Sequence, residues 1–134
     1  MTAVVASERS REVAGSDASA LRLAIVLPTY NERKNLRPMV ERLHAALGDI
    51  AWKAIFVDDN SPDGTADEAR AIALDDPHVR VIERIGRRGL ASAAIEGMCA
   101  TAAPVVAVMD ADHQHDPALL PQMLAVIESG EYDL

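Results

Sequence analysis

A chain of 134 residues is long enough for one domain that buries roughly two thirds of the surface its unfolded form exposes, and 49% hydrophobic residues fit a globular protein. The formal net charge of -8 argues against a nucleic-acid-binding surface, which needs basic residues to displace phosphate counterions, so no such partner is expected. A single cysteine, Cys99, excludes an internal disulfide and any cysteine-based zinc cluster, and its neighbours Met98, Ala100 and Ala102 predict a core position for it.

Residues 1–20 mix small and charged side chains without useful periodicity and read as a mobile N-terminal tail. No segment approaches the ~20 apolar residues of a spanning helix, and the start lacks a signal-peptide pattern, so a cytoplasmic protein is expected. An aliphatic run over residues 21–27, ended by Pro28, predicts a centrally buried strand. After the turn Pro28-Thr29-Tyr30-Asn31-Glu32, with Asn31 as candidate cap, Leu36, Met39, Val40, Leu43 and Leu47 recur at helical spacing up to Gly48. A second strand over residues 52–57 delivers Asp58-Asp59-Asn60-Ser61-Pro62-Asp63-Gly64-Thr65, turn chemistry whose Thr65 is placed to cap a helix running to about Leu74. Asp75-Asp76-Pro77 breaks that helix, and residues 79–83 alternate enough for a third, shorter strand. Arg84, Arg87, Arg88 and Gly89 then lead into an alanine-rich helix over residues 91–102. Residues 105–109 form the fourth strand, and a last helix follows Pro117 and ends at Gly130.

Strict alternation of strands and helices predicts an α/β domain, a three-layer α/β/α arrangement around a mostly parallel sheet. Ligands of such sheets collect at the carboxyl ends of the strands, where strand order reverses. Each odd polar cluster in this chain lies at one of those ends. A strand order of 3-2-1-4 places Tyr30 and Glu32 in one crevice with Asp110 and Asp112, which follow the fourth strand.

Asp110 and Asp112 are one residue apart, and in extended backbone residues i and i+2 point the same way, so the pair can converge on one ion or one ligand. An isolated Asp-X-Asp after a strand also serves simply to cap the next helix. Hard oxygen ligands in this pattern suit Mg2+ or Mn2+, which are commonly held by one or two carboxylates plus substrate phosphates, so the implied ligand is a diphosphate. Arg84, Arg87 and Arg88, with free backbone N–H groups near Gly89, offer a second anion-binding surface or else a solvated turn. Gly89 lies in no G-x-G-x-x-G pattern. His113 and His115 at i, i+2 fit surface positions better than a transition-metal site. Asp58 and Asp59, consecutive acids at a strand end, need a donor such as a ribose hydroxyl, a base N–H or a cation, or else serve the structure.

With these pieces in order, the chain resembles the family 2 inverting glycosyltransferases of the GT-A fold, and within them the polyprenyl-phosphate (dolichol-phosphate) mannosyltransferases. The matching stretches are Val26-Leu-Pro-Thr-Tyr-Asn-Glu32, Val57-Asp-Asp-Asn-Ser-Pro-Asp-Gly-Thr65, Arg88-Gly-Leu-Ala-Ser-Ala93 with Glu96-Gly97, and Val108-Met-Asp-Ala-Asp-His-Gln-His-Asp-Pro117. The resemblance runs from about residue 21 to the end and implies a Rossmann-like, nucleotide-sugar-binding half of a GT-A domain over residues 21–134. It implies that Pro28, Tyr30 and Glu32 frame the nucleotide, that Asp58 and Asp59 hold its base or ribose, and that Arg88 and Gly89 belong to the same site. Asp110, Asp112 and Gln114 would bind the Mn2+ or Mg2+ ion and the donor diphosphate, with the two aspartates carrying the catalytic role. Ala91 and His113 stand where relatives often have glycine and leucine, departures that bear on loop packing more than on chemistry.

Members of the family continue past this point with an acceptor-binding half, so the chain is expected to be truncated at the start of a fifth strand formed by Tyr132, Asp133 and Leu134. An open sheet edge there would favour self-association. The implied donors are GDP-mannose or UDP-glucose, and the implied acceptor is a polyprenyl phosphate at the membrane surface, which would make the protein peripheral to the inner face. Two other readings fit part of the pattern. A truncated remnant would bind nucleotide without catalysis. A phosphoacceptor receiver domain would need a lysine after a later strand, and the only lysines, Lys34 and Lys53, are not so placed.

Overall fold

The computed structural model describes residues 3–6 and 21–130, with only the backbone of 3–6. The strands are β1 (Ala3–Ala6), β2 (Leu23–Thr29), β3 (Trp52–Asp58), β4 (Val79–Glu83) and β5 (Val105–Val108). The helices are α1 (Arg33–Leu47), α2 (Thr65–Asp75), α3 (Leu90–Cys99) and α4 (Leu120–Glu128), the last entered through a 3-10 turn at Pro117–Leu119. The sheet order is β1-β5-β2-β3-β4, with β5, β2, β3 and β4 mutually parallel. For the four strands expected from the sequence this is the predicted order, and β2 lies at its centre.

Every residue of β2 is buried, because helices cover both faces of the sheet. Strand alternation divides the core in two. Leu23, Ile25 and Leu27 face a layer built of large side chains, including Phe56, Met39 and Leu43, under α1, α2 and α4. Ala24 and Val26 face a thinner layer of Ile55, Val57, Ala93 and Val106, covered among the described residues by α3 alone. The thin side brings α3 very close: a Cβ built on Gly97 would lie 2.3 Å from Val26 Cγ1, so only glycine fits there.

Four expectations are corrected. Ala3–Ala6, expected within the tail, pair antiparallel with β5, Ala3 opposite Val108 and Ala6 opposite Val105; Ala3-Val-Val-Ala6 is a short run of strand-compatible residues beside an otherwise unpaired edge. The rest of that tail, and Tyr132, Asp133 and Leu134 with their expected fifth strand, lie outside the described residues. Cys99 is exposed, because α3 ends there and turns this residue away from the sheet. Asn31 does not cap α1: it adopts a left-handed backbone (φ 56°), and Glu32 occupies the cap position. Thr65 is the first residue of α2 rather than its cap, which is the left-handed Gly64.

The first amides of α1 are satisfied from across the sheet instead. Asn31 N donates to Ser61 Oγ (2.9 Å), Glu32 N to Thr65 Oγ1 (3.1 Å) and Arg33 N to Asp63 Oδ2 (3.3 Å). The turn after β3 therefore caps the helix after β2, consuming donors that every helix start leaves open. These bonds fix the two loops to each other at the carboxyl end of the sheet.

Candidate functional site

That end of the sheet opens into a cleft of about 270 Å3 lined by Pro28, Thr29, Tyr30, Glu32 and Asp59, and by Leu90, Asp110, Ala111 and Asp112 from the other side. β2, β3 and β5 each deliver part of it, so the crevice lies beside the central strand as the strand order required. Thr29 stands opposite Asp58 in the register of β2 and β3, and Met109 N donates to Val26 O (3.0 Å), which ties the backbone just before Asp110 to β2. The strand ends at Val108 and the chain bends from Ala111, which is buried, and Asp110, Ala111 and Asp112 all line the cleft.

The loop that carries them is held from α1. His113 has a left-handed backbone (φ 66°), uncommon for a residue with a side chain. Its ring lies between Arg42 Nη1, 2.8 Å from Nδ1, and the Asn35 carbonyl oxygen, 3.2 Å from Nε2. Since Arg42 can only donate, Nδ1 accepts and Nε2–H donates to Asn35 O, which defines the neutral tautomer. Asp112 Oδ1 accepts from Gln114 N (3.1 Å), and His115 Nε2 stands 3.8 Å from Asp110 Oδ2. Gln114 is exposed and lies outside the cleft lining.

Asp58 and Asp59 are separated by function of place. Asp58 is 0% exposed and accepts from Thr29 Oγ1 (2.8 Å), Ser61 Oγ (2.6 Å) and Ser61 N (2.9 Å), so its carboxylate braces the loops and does not line the cleft. Asp59 does line the cleft, yet Oδ1 accepts from Arg84 Nε (2.6 Å) and Oδ2 from Gly89 N (3.0 Å). Burial pushes the Asp59 carboxyl up, but the Arg84 and Gly89 bonds outweigh it and hold it below the usual carboxylate range.

Arg84, expected among the anion-binding arginines, is 0% exposed and fully engaged: besides Asp59 it donates to Ser92 Oγ (2.9 Å) and Gly89 O (3.0 Å). It is a buried brace, because a lone guanidinium inside the fold needs a partner charge and Asp59 supplies it. Arg87 is exposed and pairs with Glu96 (2.8 Å). Arg88 does not line the cleft but contacts Tyr30, which does, with Nη2 2.8 Å from the Tyr30 hydroxyl and the guanidinium 4.7 Å from the ring centroid. The Gly89 N–H is taken by Asp59, so it serves the loop.

No group of three or more His, Cys, Asp or Glu side chains that could hold a metal occurs among the described residues. The donor chemistry fits a divalent ion that keeps open positions: two carboxylates in one cleft suit Mg2+ or Mn2+, whose remaining positions water and substrate phosphate fill. Sequence reasoning missed Arg42 and Thr29, whose roles rest on contacts spanning 71 and 29 residues. A buried threonine ending a strand opposite an aspartate is the one local signal.

A parallel α/β sheet with an acidic cleft at its switch point is the architecture found in part of GT-A structures. The chain belongs to Glycosyl transferase family 2, which residues 24–134 match. It is 38% identical over 110 residues to the dolichol-phosphate mannosyltransferase of Pyrococcus furiosus, covering 82% of this chain and 31% of that protein. It is 35% identical over 118 residues to the Saccharomyces cerevisiae dolichol-phosphate mannosyltransferase, covering 86% and 44%, and 37% identical over 125 residues to the polyprenol monophosphomannose synthase of Mycolicibacterium smegmatis, covering 87% and 46%. Among solved structures, a Pyrobaculum calidifontis mannosyltransferase in complex with GDP-Man and Mn2+ superimposes with a TM-score of 0.58 at 25% identity, over 78% of this chain and 33% of that one. Glucosyl-3-phosphoglycerate synthase of Mycobacterium tuberculosis shares the fold, with a TM-score of 0.67 over 84% of this chain and 41% of that one. The chain thus spans less than half the length of these relatives. Membership of this family sets aside the receiver-domain reading. No described helix is long and apolar enough to cross a membrane.

Proposed function

We propose that this chain forms the donor-binding part of an inverting hexosyltransferase that uses a nucleotide sugar, GDP-mannose or UDP-glucose, and a polyprenyl-phosphate acceptor. The observation that carries the reading is the meeting of Asp110 and Asp112 with Tyr30, Glu32 and Asp59 in one cleft beside β2. Support comes from relatives named as mannosyltransferases of dolichol and polyprenol phosphates, and from the structural relative that holds GDP-Man with Mn2+.

In this reading Asp110 and Asp112, with Gln114 of the same loop, would hold Mn2+ or Mg2+ together with the donor diphosphate, and the ion would supply charge neutralisation on the leaving diphosphate. Tyr30, backed by Pro28, offers a flat surface beside which a base can lie, with Arg88 stacked over its ring. Asp59, kept ionised by Arg84 and the Gly89 amide, presents a fixed acceptor to base or ribose donors. A phosphate oxygen of the acceptor forms the new bond to the anomeric carbon as the bond from that carbon to the diphosphate breaks, and the electron pair leaves with the nucleoside diphosphate. A phosphate monoester, with second pKa near ~6, is already ionised at neutral pH, so no general base has to remove a proton.

The test is transfer of labelled mannose from GDP-mannose, or glucose from UDP-glucose, to a polyprenyl phosphate. Metal-dependent, lipid-extractable label supports the full reading. Nucleotide binding without transfer supports the second reading, a nucleotide-binding unit.

A further inference from the structure

Among the described residues, helix α3 is the sole helical cover of one sheet face, and its outward side is apolar. It buries Ala93 and Gly97 against Val26, while its polar residues Ser92 and Glu96 turn toward Arg84 and Arg87. Ala91, Ile95 and Cys99, at four-residue spacing, are exposed on the side away from the sheet. Ile95 is 59% exposed, and Ile85, in the loop leading into α3, is 71% exposed.

Charge is distributed unevenly around this face. Arg87 precedes the helix, Arg88 turns instead to Tyr30 at the cleft, and Arg80 reaches the helix end, where Nη1 donates to Ala100 O (2.8 Å). Alternation in β3, between Trp52 and Ala54 of the opposite core, sends Lys53 to this side as well. Glu96 is the one acid on the helix, and Arg87 neutralises it. In a chain of net charge -8, one face thus joins exposed aliphatic groups to a basic border.

We propose that the outer face of α3, with the loop from Ile85, is a docking surface for an anionic lipid bilayer. Aliphatic side chains rimmed by Arg and Lys match the two components of an interfacial contact, apolar insertion and attraction to anionic headgroups. Besides Glu96, the nearest acids named for this face are those of the cleft that Leu90 lines, among them Asp110 and Asp112, and charges more than about 8 Å away are screened at physiological ionic strength. Leu90, at the start of the same helix, lines the cleft, so docking sets the site's mouth beside the lipid surface, where a lipid-linked phosphate is presented. This orientation rests on the donor reading above; the contact with lipid does not.

The experiment is cosedimentation of the 134-residue chain with vesicles of phosphatidylcholine, alone or with one third phosphatidylglycerol. Binding should rise by about tenfold with the anionic lipid and fall as salt rises. Ile95→Asp and Lys53→Glu should each reduce it severalfold, whereas Leu74→Asp, at an 88% exposed leucine on α2 across the sheet, should leave it unchanged. Ile95 and Leu74 are exposed and Lys53 is half-buried, and circular dichroism with thermal melting verifies that each variant folds. Failure to bind anionic vesicles, or an equal loss in Leu74→Asp, overturns the proposal. A dimer in sedimentation equilibrium that Ile95→Asp abolishes, without vesicle binding, overturns it in favour of a second copy on this face. Nucleotide calorimetry without lipid is a separate readout, so vesicle binding without nucleotide binding would sink the donor reading and keep the surface.

Discussion

Arg84 Nε donates to Asp59 Oδ1 across 2.6 Å, joining a completely buried guanidinium on the loop after β4 to a carboxylate that lines the cleft. The pair connects the support of the site to the site itself. Asp59→Asn removes the balancing charge and leaves Arg84 charged inside the fold, a loss of about 3 kcal/mol in stability by urea unfolding. The same variant should also weaken nucleotide binding, because Gly89 and the start of α3 lose their anchor. A stability equal to wild type would show that the pair is not structural.

The pH dependence follows from the same bond. Asp59 has its pKa lowered in the folded chain, against burial, by Arg84 and Gly89; Asp76 is likewise lowered, against burial, by His44 and the His78 amide. A depressed carboxyl contributes stability that is present above its unfolded pKa of about 3.9 and is lost as pH falls through the folded value. Unfolding free energy measured by urea at descending pH should therefore fall below about pH 4. Asp59→Asn should flatten that fall, and an unchanged slope would contradict the assignment.

Gly97 lies where no side chain fits. A methyl there would sit 2.3 Å from Val26 Cγ1, so Gly97→Ala must push α3 off the sheet, at a cost of about 1–3 kcal/mol. Val26→Ala in the same chain makes room. In a double-mutant cycle the Gly97→Ala penalty should shrink on the Val26→Ala background, and simple additivity would contradict the contact.

Much of this geometry was legible in the sequence, and its limits have physical causes. The aliphatic run of β2 and the helical spacing of Leu36, Met39, Val40 and Leu43 are strong periodic signals, so strands, helices and strand order followed from them. Asp110 and Asp112 both line the cleft, but the chain bends from Ala111 instead of continuing as the extended backbone on which the expectation rested. Sequence alone could not separate Asp58 from Asp59, since what distinguishes them is Thr29 and Ser61 on one and Arg84 on the other. Arg84 looked like a ligand arginine because its burial is decided by how the loop after β4 folds under α3. Cys99 was read into the core from apolar neighbours, but among the described residues nothing packs over the outer face of α3 at this position, and Cys99 is exposed.

The Arg42–His113 contact makes a sharper claim about the acidic loop. Arg42→Ala frees the His113 ring and, with it, the left-handed turn between Asp112 and Gln114. Metal-dependent GDP affinity should weaken by about tenfold, the scale of one charged hydrogen bond, while stability changes less, because the ion pair of the half-buried Arg42 with the exposed Asp116 is long at 3.6 Å. His113→Gly keeps the backbone shape and should bind better than His113→Val, which a β-branched side chain strains. Calorimetry on the three variants checks the order.

The most direct test of the central claim is isothermal titration calorimetry of GDP and UDP into the folded chain, with Mn2+ and with the ion removed by chelation. The account predicts binding of at least one nucleotide that requires the ion and that disappears in both Asp110→Asn and Asp112→Asn, with the melting temperature of each variant kept. Binding that survives chelation or either substitution, or no heat with either nucleotide from a folded sample, would contradict it.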